Sequence, residues 1–388
     1  MSVVNMFEGG KGLRIRMSLC VMTKNQSNFV SLLKYIMCFT VALGHFYGIY
    51  YGSAALKGSF TVGEILFKYG PTRLFIDGRF MVFIFAVISG MLMTKKDKQN
   101  YDIAMLSKDI LYRYLRFALP LLYTYIFCYF MYRYIGNDSG EIANRLNNSW
   151  ILNLSGTFSG SDYFFEAIKV SLFGGAKIIP VMWSMPYFFW GGVLIYINRF
   201  IKFRVNKNTY IIICTIELIT LFFVCSLIFA ILAGSLVMNQ NMRKRIISQR
   251  KKILCILCII LFQEYVVYLI KLKSHLIGDY ATAISATCLV SLLLGLDIKI
   301  EKNINILKSS FEVYLLHWPI LMALSWKIFL WLSNITNFTI HFFTACIITM
   351  GIILISAFSL YYIDSLTLKK IKRIFYNRDT KPREQSFG

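Results

Sequence analysis

Runs of about twenty apolar residues recur from one end of this chain to the other, and twenty is the length an α-helix needs to cross a bilayer. They fall near residues 29–50, 73–94, 117–135, 180–198, 209–238, 253–271, 281–298, 312–332 and 340–363. Only 16% of the residues are charged, against about 25% in soluble domains. A chain that is 57% hydrophobic has too much apolar surface for a water-soluble globule of 388 residues. The fold class expected is an all-α polytopic membrane protein.

Charge sets the orientation. The net charge is +23, but the Lys and Arg cluster between the apolar runs, where the positive-inside rule places them, so no nucleic-acid partner is expected. Attraction to anionic lipid headgroups is a by-product. Lys11, Arg14, Arg16 and Lys24 put the N-terminal tail (1–28) in the cytoplasm. Lys95, Lys96, Lys98, Lys108, Arg113 and Arg116 do the same for the loop after the second run. The 136–179 connection carries Asp138, Glu141, Asp162 and Glu166, and suits the outside. Both flanks of 209–238 are strongly basic, so one crossing cannot join them. As one helix its 30 residues would measure about 45 Å, longer than a bilayer core. A compressed hairpin of two short helices is preferred over a single long one. This gives about ten transmembrane helices across 29–363, a basic tail at 364–388, and both termini cytoplasmic.

Cysteines lie mostly within the runs. Cys255 and Cys258 form a C-x-x-C inside a predicted membrane helix, where packing is the expected role. No metal site is expected. The Asn147, Asn153, Asn334 and Asn337 sequons matter only in a host that glycosylates.

Several polar groups sit where lipid should forbid them. In LLKYIMCFTVALGHFYG, Lys34 and His45 are eleven positions apart, within about 20° of one helical face and about 16 Å apart along the axis. Ionisable groups in membrane helices usually face the bundle interior or a water cavity. Plainer readings stand beside this: Lys34 snorkelling to cytoplasmic headgroups, and His45 hydrogen-bonded to a neighbour at the interface. Arg113 and Arg116, in RYLR, share a helical face at the cytoplasmic entrance. They are either a phosphate grip or simple anchors. His317, in SSFEVYLLHWPIL, lies near the cytoplasmic start of its helix, beside the kink expected at Pro319. It is a site residue or a structural hydrogen-bond partner for a carbonyl the proline frees. Ser89 and Gly90 in ISGMLM allow close helix packing, and MWSMP puts Trp183 at the outer interface.

Taken in order, these pieces resemble the integral-membrane acyltransferase 3 family, which acylates sugars of surface polysaccharides and other carbohydrates. The family's arginine, ten residues, histidine stands here as Lys34 and His45. Its R-x-x-R is matched by Arg113 and Arg116, and its phenylalanine-rich S-G element by FIFAVISGML. Its W-S-hydrophobic motif is matched by Trp183, Ser184 and Met185, and its Y-hydrophobic-hydrophobic-H-x-P by Tyr314, His317 and Pro319. The family often carries a glutamate shortly after W-S; PYFFWGG has none.

The resemblance implies a membrane O-acyltransferase that takes an acyl group, most often acetyl, from acyl-CoA reached from the cytoplasm. The acceptor implied is a hydroxyl of a lipid-linked or surface glycan, such as an O-antigen, capsule or exopolysaccharide. No bound cofactor is implied, acetyl-CoA being a co-substrate, and the expected place is a bacterial inner membrane. His45 is then the general base, with Glu64 or Asp77 orienting it in place of the missing glutamate. Lys34 lines the pantetheine path or contacts the thioester oxygen. Arg113, Arg116, His317 and Ser89 are expected at the acyl-CoA, and Trp183 and Ser184 at the acceptor. A glycan polymerase, flippase or transporter is the competing class. The 136–179 loop is poor in arginine for a polymerase, and no inverted repeat favours a transporter. Oligomeric state stays open.

Overall fold

The computed structural model describes residues 24–50, 77–93, 101–146, 158–239, 249–267, 274–296, 304–333 and 338–376, with a few single positions between them. Glu64, the four sequons, the basic stretches 95–98 and 243–248 and both chain ends lie outside the described residues. Every regular element among those described is helical. Six helices are long and apolar enough to cross a membrane, and two shorter apolar ones accompany them.

Helix α1 spans Lys24–Tyr50. Helix α2, Gly78–Met93, starts where the Asp77 carboxylate accepts the Phe80 N–H at 3.0 Å, one of the donors a helix start leaves orphaned. Helix α3, Ile103–Tyr134, is capped in the same way by Asp102, which accepts from Met105 N at 2.8 Å. A short α4, Ser139–Leu146, and α5, Gly160–Phe173, follow. A 3₁₀ turn at Pro180–Ser184 then leads into α6, Met185–Lys202.

Helices α7, Lys207–Val224, and α8, Ser226–Asn239, occupy the 209–238 run. Cys225 between them is extended (φ −154°, ψ 97°). Tyr210 and Cys214 from the start of α7 line the same crevice as Ser235 and Leu236 from the end of α8. The chain therefore doubles back at Cys225 and forms a hairpin. Helices α9, Gln249–Leu261, and α10, His275–Leu294, follow; α9 runs directly into a π-helical turn at Phe262–Val267.

Helix α11, Ser310–Ile320, contains Pro319, which has no N–H to close the helical ladder; a π-helical turn at Leu321–Ser325 follows before α12, Trp326–Ser333. Helix α13, Phe338–Tyr376, continues well past residue 364, the expected start of the tail. There Tyr376 donates to Asp109 at 2.5 Å, so this stretch packs on α3.

Packing is centred on α1, α2, α8 and α11, with α3, α6, α10 and α13 around them. The closest approach is between α2 and α8. A Cβ on Gly90 would lie 1.8 Å from the Ile231 carbonyl oxygen, and one on Gly234 would lie 2.0 Å from that of Val87. Only glycine lets the two backbones meet, as at small-residue crossings in membranes. Outward faces are apolar: α7 buries only Cys214 and exposes Ile211, Ile212, Ile216 and Ile219. Cys255 and Cys258 also face outward rather than packing inside, on an α9 face with Leu254 and Leu257.

The 136–179 connection, expected on the outside, holds the helices α4 and α5 among its described residues. Helix α5 packs along the distal part of α3, with the Tyr129 and Tyr163 rings 5.4 Å apart and Tyr125 donating to Glu166 at 2.8 Å. Its Phe164, Phe165 and Phe173 point outward. The charges that suggested water belong partly to local structure, since Asp162 accepts from Ser159 N at 2.8 Å at the helix start.

Candidate active site

Helix α1 carries both members of the first polar stripe, and the rest of the bundle gives them different company. At the far end of α1, the His45 ring stacks on that of His317, with centroids 5.2 Å apart and planes 15° apart. Trp318 meets His45 edge-on at 5.6 Å. His317, expected among the donor-side residues, is thus brought against His45. Tyr50, five residues beyond His45, donates to or accepts from Ser325 at 2.5 Å, which shows how α1 and the α11 region run together.

His317 is completely buried. Its Nδ1 lies 2.6 Å from the Tyr314 carbonyl oxygen, which can only accept, so Nδ1 carries the hydrogen. Nε2 is then a lone-pair acceptor, and it has no hydrogen-bond partner among the described residues. Buried polar atoms in proteins are nearly always satisfied, so an orphaned one marks a place where a ligand hydroxyl or N–H would fit. The Tyr314 hydroxyl donates to Val181 O at 2.5 Å and receives Ser184 Oγ at 3.0 Å. The W-S and Y-x-x-H-x-P motifs are therefore one hydrogen-bonded unit.

An open cavity of about 480 Å³ lies over this unit. His45, Gly44, Gly78, Arg79, Trp183 and Tyr314 line it, with Val41 and Val82. Trp183 is 44% exposed, an indole face available for stacking. Arg79, which sequence reading passed over, binds Asp279 at 2.5 Å across the α2–α10 gap. Val41, Val82 and Tyr314 also line a narrow apolar crevice with Cys38, Met81, Met185 and Phe311, running back along α1 toward Lys34.

At the other end, Lys34 shares electrostatic contact with Glu312 on α11, which also interacts with Arg116 and Asp364. Glu312 and Asp364 are buried at 3% and 5% exposure, and neither was singled out from the sequence as a partner of Lys34. Two acids in apolar helices were the signal available.

The two arginines of RYLR separate. Arg116 is exposed, whereas Arg113 is buried. Arg113 Nε donates to Phe189 O at 3.2 Å, Nη2 donates to Phe188 O, and the guanidinium lies over the Phe117 ring at 5.0 Å. A Cβ on Gly192 would sit 2.0 Å from Arg113 Cζ, so α6 is shaped around the guanidinium. The expectation that both arginines sit exposed at the entrance is corrected for Arg113: α6 packs over it, and backbone carbonyls of α6 take its guanidinium, while Arg116 stays exposed. Asp77 is occupied in capping α2, immediately before the cavity wall at Gly78 and Arg79. Ser89 is half-buried on α2, next to the Gly90 crossing.

Long apolar helices with apolar outward faces, packed on an apolar core that holds a minority of buried polar groups, define a multi-pass membrane protein, and the His45–His317 stack at an open cavity defines a candidate catalytic centre. A family model described as an acyltransferase domain matches residues 27–358. The chain belongs to the acyltransferase 3 family and is a membrane acyltransferase. Neither the curated proteins nor the solved structures gave a match.

Proposed function

We propose that this protein transfers a short acyl group, acetyl in the simplest case, from acyl-CoA to a hydroxyl of a cell-surface glycan. The observation that carries this reading is that His45, which lines the 480 Å³ cavity, stacks on the buried His317 behind it. In this reading His45 removes the proton as the sugar oxygen attacks the thioester carbonyl. The C–S bond breaks, and the CoA thiolate takes the proton back, giving an O-acyl ester and free thiol. His317 holds the second imidazole in one tautomer with Nε2 open to a donor.

The cavity is the acceptor side, with Trp183 stacking on the sugar ring, while Ser184 sets the Tyr314 hydroxyl. The apolar crevice is the pantetheine path, and Lys34 with exposed Arg116 meets the anionic donor. Arg113 shapes α6 rather than touching phosphate. The segments α1, α2, α3, α6, α7, α8, α9, α10, α11–α12 and α13 make ten crossings with both termini cytoplasmic. The membrane is a bacterial inner membrane, and a lipopolysaccharide O-antigen, capsule or exopolysaccharide is the acceptor class.

The test is glycan mass analysis of cells with and without the gene. Acetylation adds about 42 daltons per modified residue, and the shift should vanish in His45→Ala cells with intact expression. Identical glycans in all three strains would overturn the proposal.

A further inference from the structure

Helix α6 starts opposite the middle of α3, where Arg113 meets Phe188 and Phe189, and ends where Arg199 lies over the Tyr101 ring at 4.5 Å. Helix α5 covers the distal part of the same α3. At 1.5 Å per residue α5 is about 21 Å long and α6 about 27 Å, against about 48 Å for α3 alone. The pair is thus one interrupted path beside α3, broken between residues 174 and 184. Gly174 and Gly175 (φ 71° and 74°) turn the chain there, in the left-handed region that other residues avoid.

Broken backbone among membrane helices needs partners for its freed polar groups. Here one buried carboxylate supplies them. Glu166, 5% exposed, accepts at a single oxygen from Lys177 N at 2.9 Å, Ile178 N at 3.0 Å and the Tyr125 hydroxyl at 2.8 Å. Three residues beyond Ile178, Val181 O receives the Tyr314 hydroxyl; Trp183 and Ser184 follow directly. Trp190 Nε1, donating to Leu172 O at 2.8 Å, closes the break from the α6 side.

We infer that Glu166 is a positioning residue that holds the 177–184 segment, and through it Trp183 and the Ser184–Tyr314 pair, in place at the acceptor cavity. This rests on the reading of that cavity as the acceptor site. Glu166 touches no reacting atom, so its effect is on acceptor recognition rather than on the donor.

The test compares Glu166→Gln and Glu166→Ala with the parent in proteoliposomes. The acceptor KM should rise at least tenfold in Glu166→Ala and by less in Glu166→Gln, which keeps a carbonyl oxygen, while the acyl-CoA KM stays unchanged. A purely structural Glu166 would lower the amount of folded enzyme and leave both KM values alone, and that result overturns the inference. A second arm needs no activity. Ile178→Cys, buried in the parent, should react with a membrane-impermeant maleimide, read by peptide mass spectrometry, several-fold faster when Glu166 is also replaced. Unchanged labelling overturns the inference as well. A parent with no acyl transfer at all, but with the labelling response intact, overturns the acyltransfer reading and leaves the staple standing.

Discussion

Removal of the His45 imidazole should separate catalysis from stability. His45 is only partly buried, and its ring contacts are the stack on His317 and the edge of Trp318. Such aromatic pairs contribute about 0.5–1.5 kcal/mol beyond area burial, so His45→Ala should lower stability by about 1–2 kcal/mol. General-base catalysis contributes roughly 10²–10⁴ in rate, or about 2.7–5.4 kcal/mol at about 1.36 kcal/mol per decade. Activity should therefore fall at least a hundredfold in protein that still folds. The His317→Ala and double variants complete a cycle. Residues that act as a unit are non-additive, so the double variant should lose no more than the worse single, a coupling of at least ~1 kcal/mol. The assay is transfer of labelled acetyl from acetyl-CoA to isolated host glycan by membranes matched for protein content. His45→Ala retaining more than a tenth of the parent rate would refute the base assignment. Fully additive losses would refute the idea that the stacked pair works as one.

Gly90→Ala must part α2 from α8 by about 1 Å or more, and overpacking of this kind costs about 1–3 kcal/mol or more; Gly351→Ala, with nothing within 4 Å of the new methyl, is the control. Melting in detergent should show a drop for the first and none for the second. Arg116→Gln should weaken acyl-CoA binding and leave expression intact. Arg113→Gln should instead reduce folded yield, since two carbonyls lose a buried partner, at about 1–3 kcal/mol each; size-exclusion profiles distinguish the two. Lys34→Gln should destabilise by leaving Glu312 buried with less opposing charge, and adding Glu312→Gln should recover part of the loss in the same melting assay. Tyr314→Phe removes the link between Val181 O and Ser184 and should raise the acceptor KM several-fold at constant acyl-CoA KM.

The order of motifs identified the family because each motif is a local string, and strings survive whatever the helices later do. Lys34 and His45 share a stripe by helix geometry alone, and the structure keeps both on the inner side of α1 with Glu312 and His317 as company. The basic flanks of 209–238 pointed to a hairpin, and the chain does turn at Cys225. What was not legible is who meets whom. His317 is placed by loop charges near the cytoplasmic start of its helix, and no local pattern announces that its ring lies on that of His45. Arg113 looked like a surface cation because positive-inside counting does not register the carbonyls of Phe188 and Phe189 or the space over Gly192. Glu166 looked like a loop acid because no local pattern announces that its partners are the N–H groups of residues 177 and 178.

Hydrophobic run length, loop charge and motif spacing are properties of a chain in lipid and water, and they determined by themselves that this is a helical membrane protein of its family. The rotation and depth of each helix against its neighbours are set by contacts such as Gly90 on Ile231 and Gly234 on Val87, between residues far apart in the chain. Lipid is as apolar as the helices it surrounds, so hydropathy exerts no torque on which face turns inward. Only the packed bundle decided that two distant histidines stack, that one arginine is buried while its neighbour is not, and that a broken helix is held by a single carboxylate.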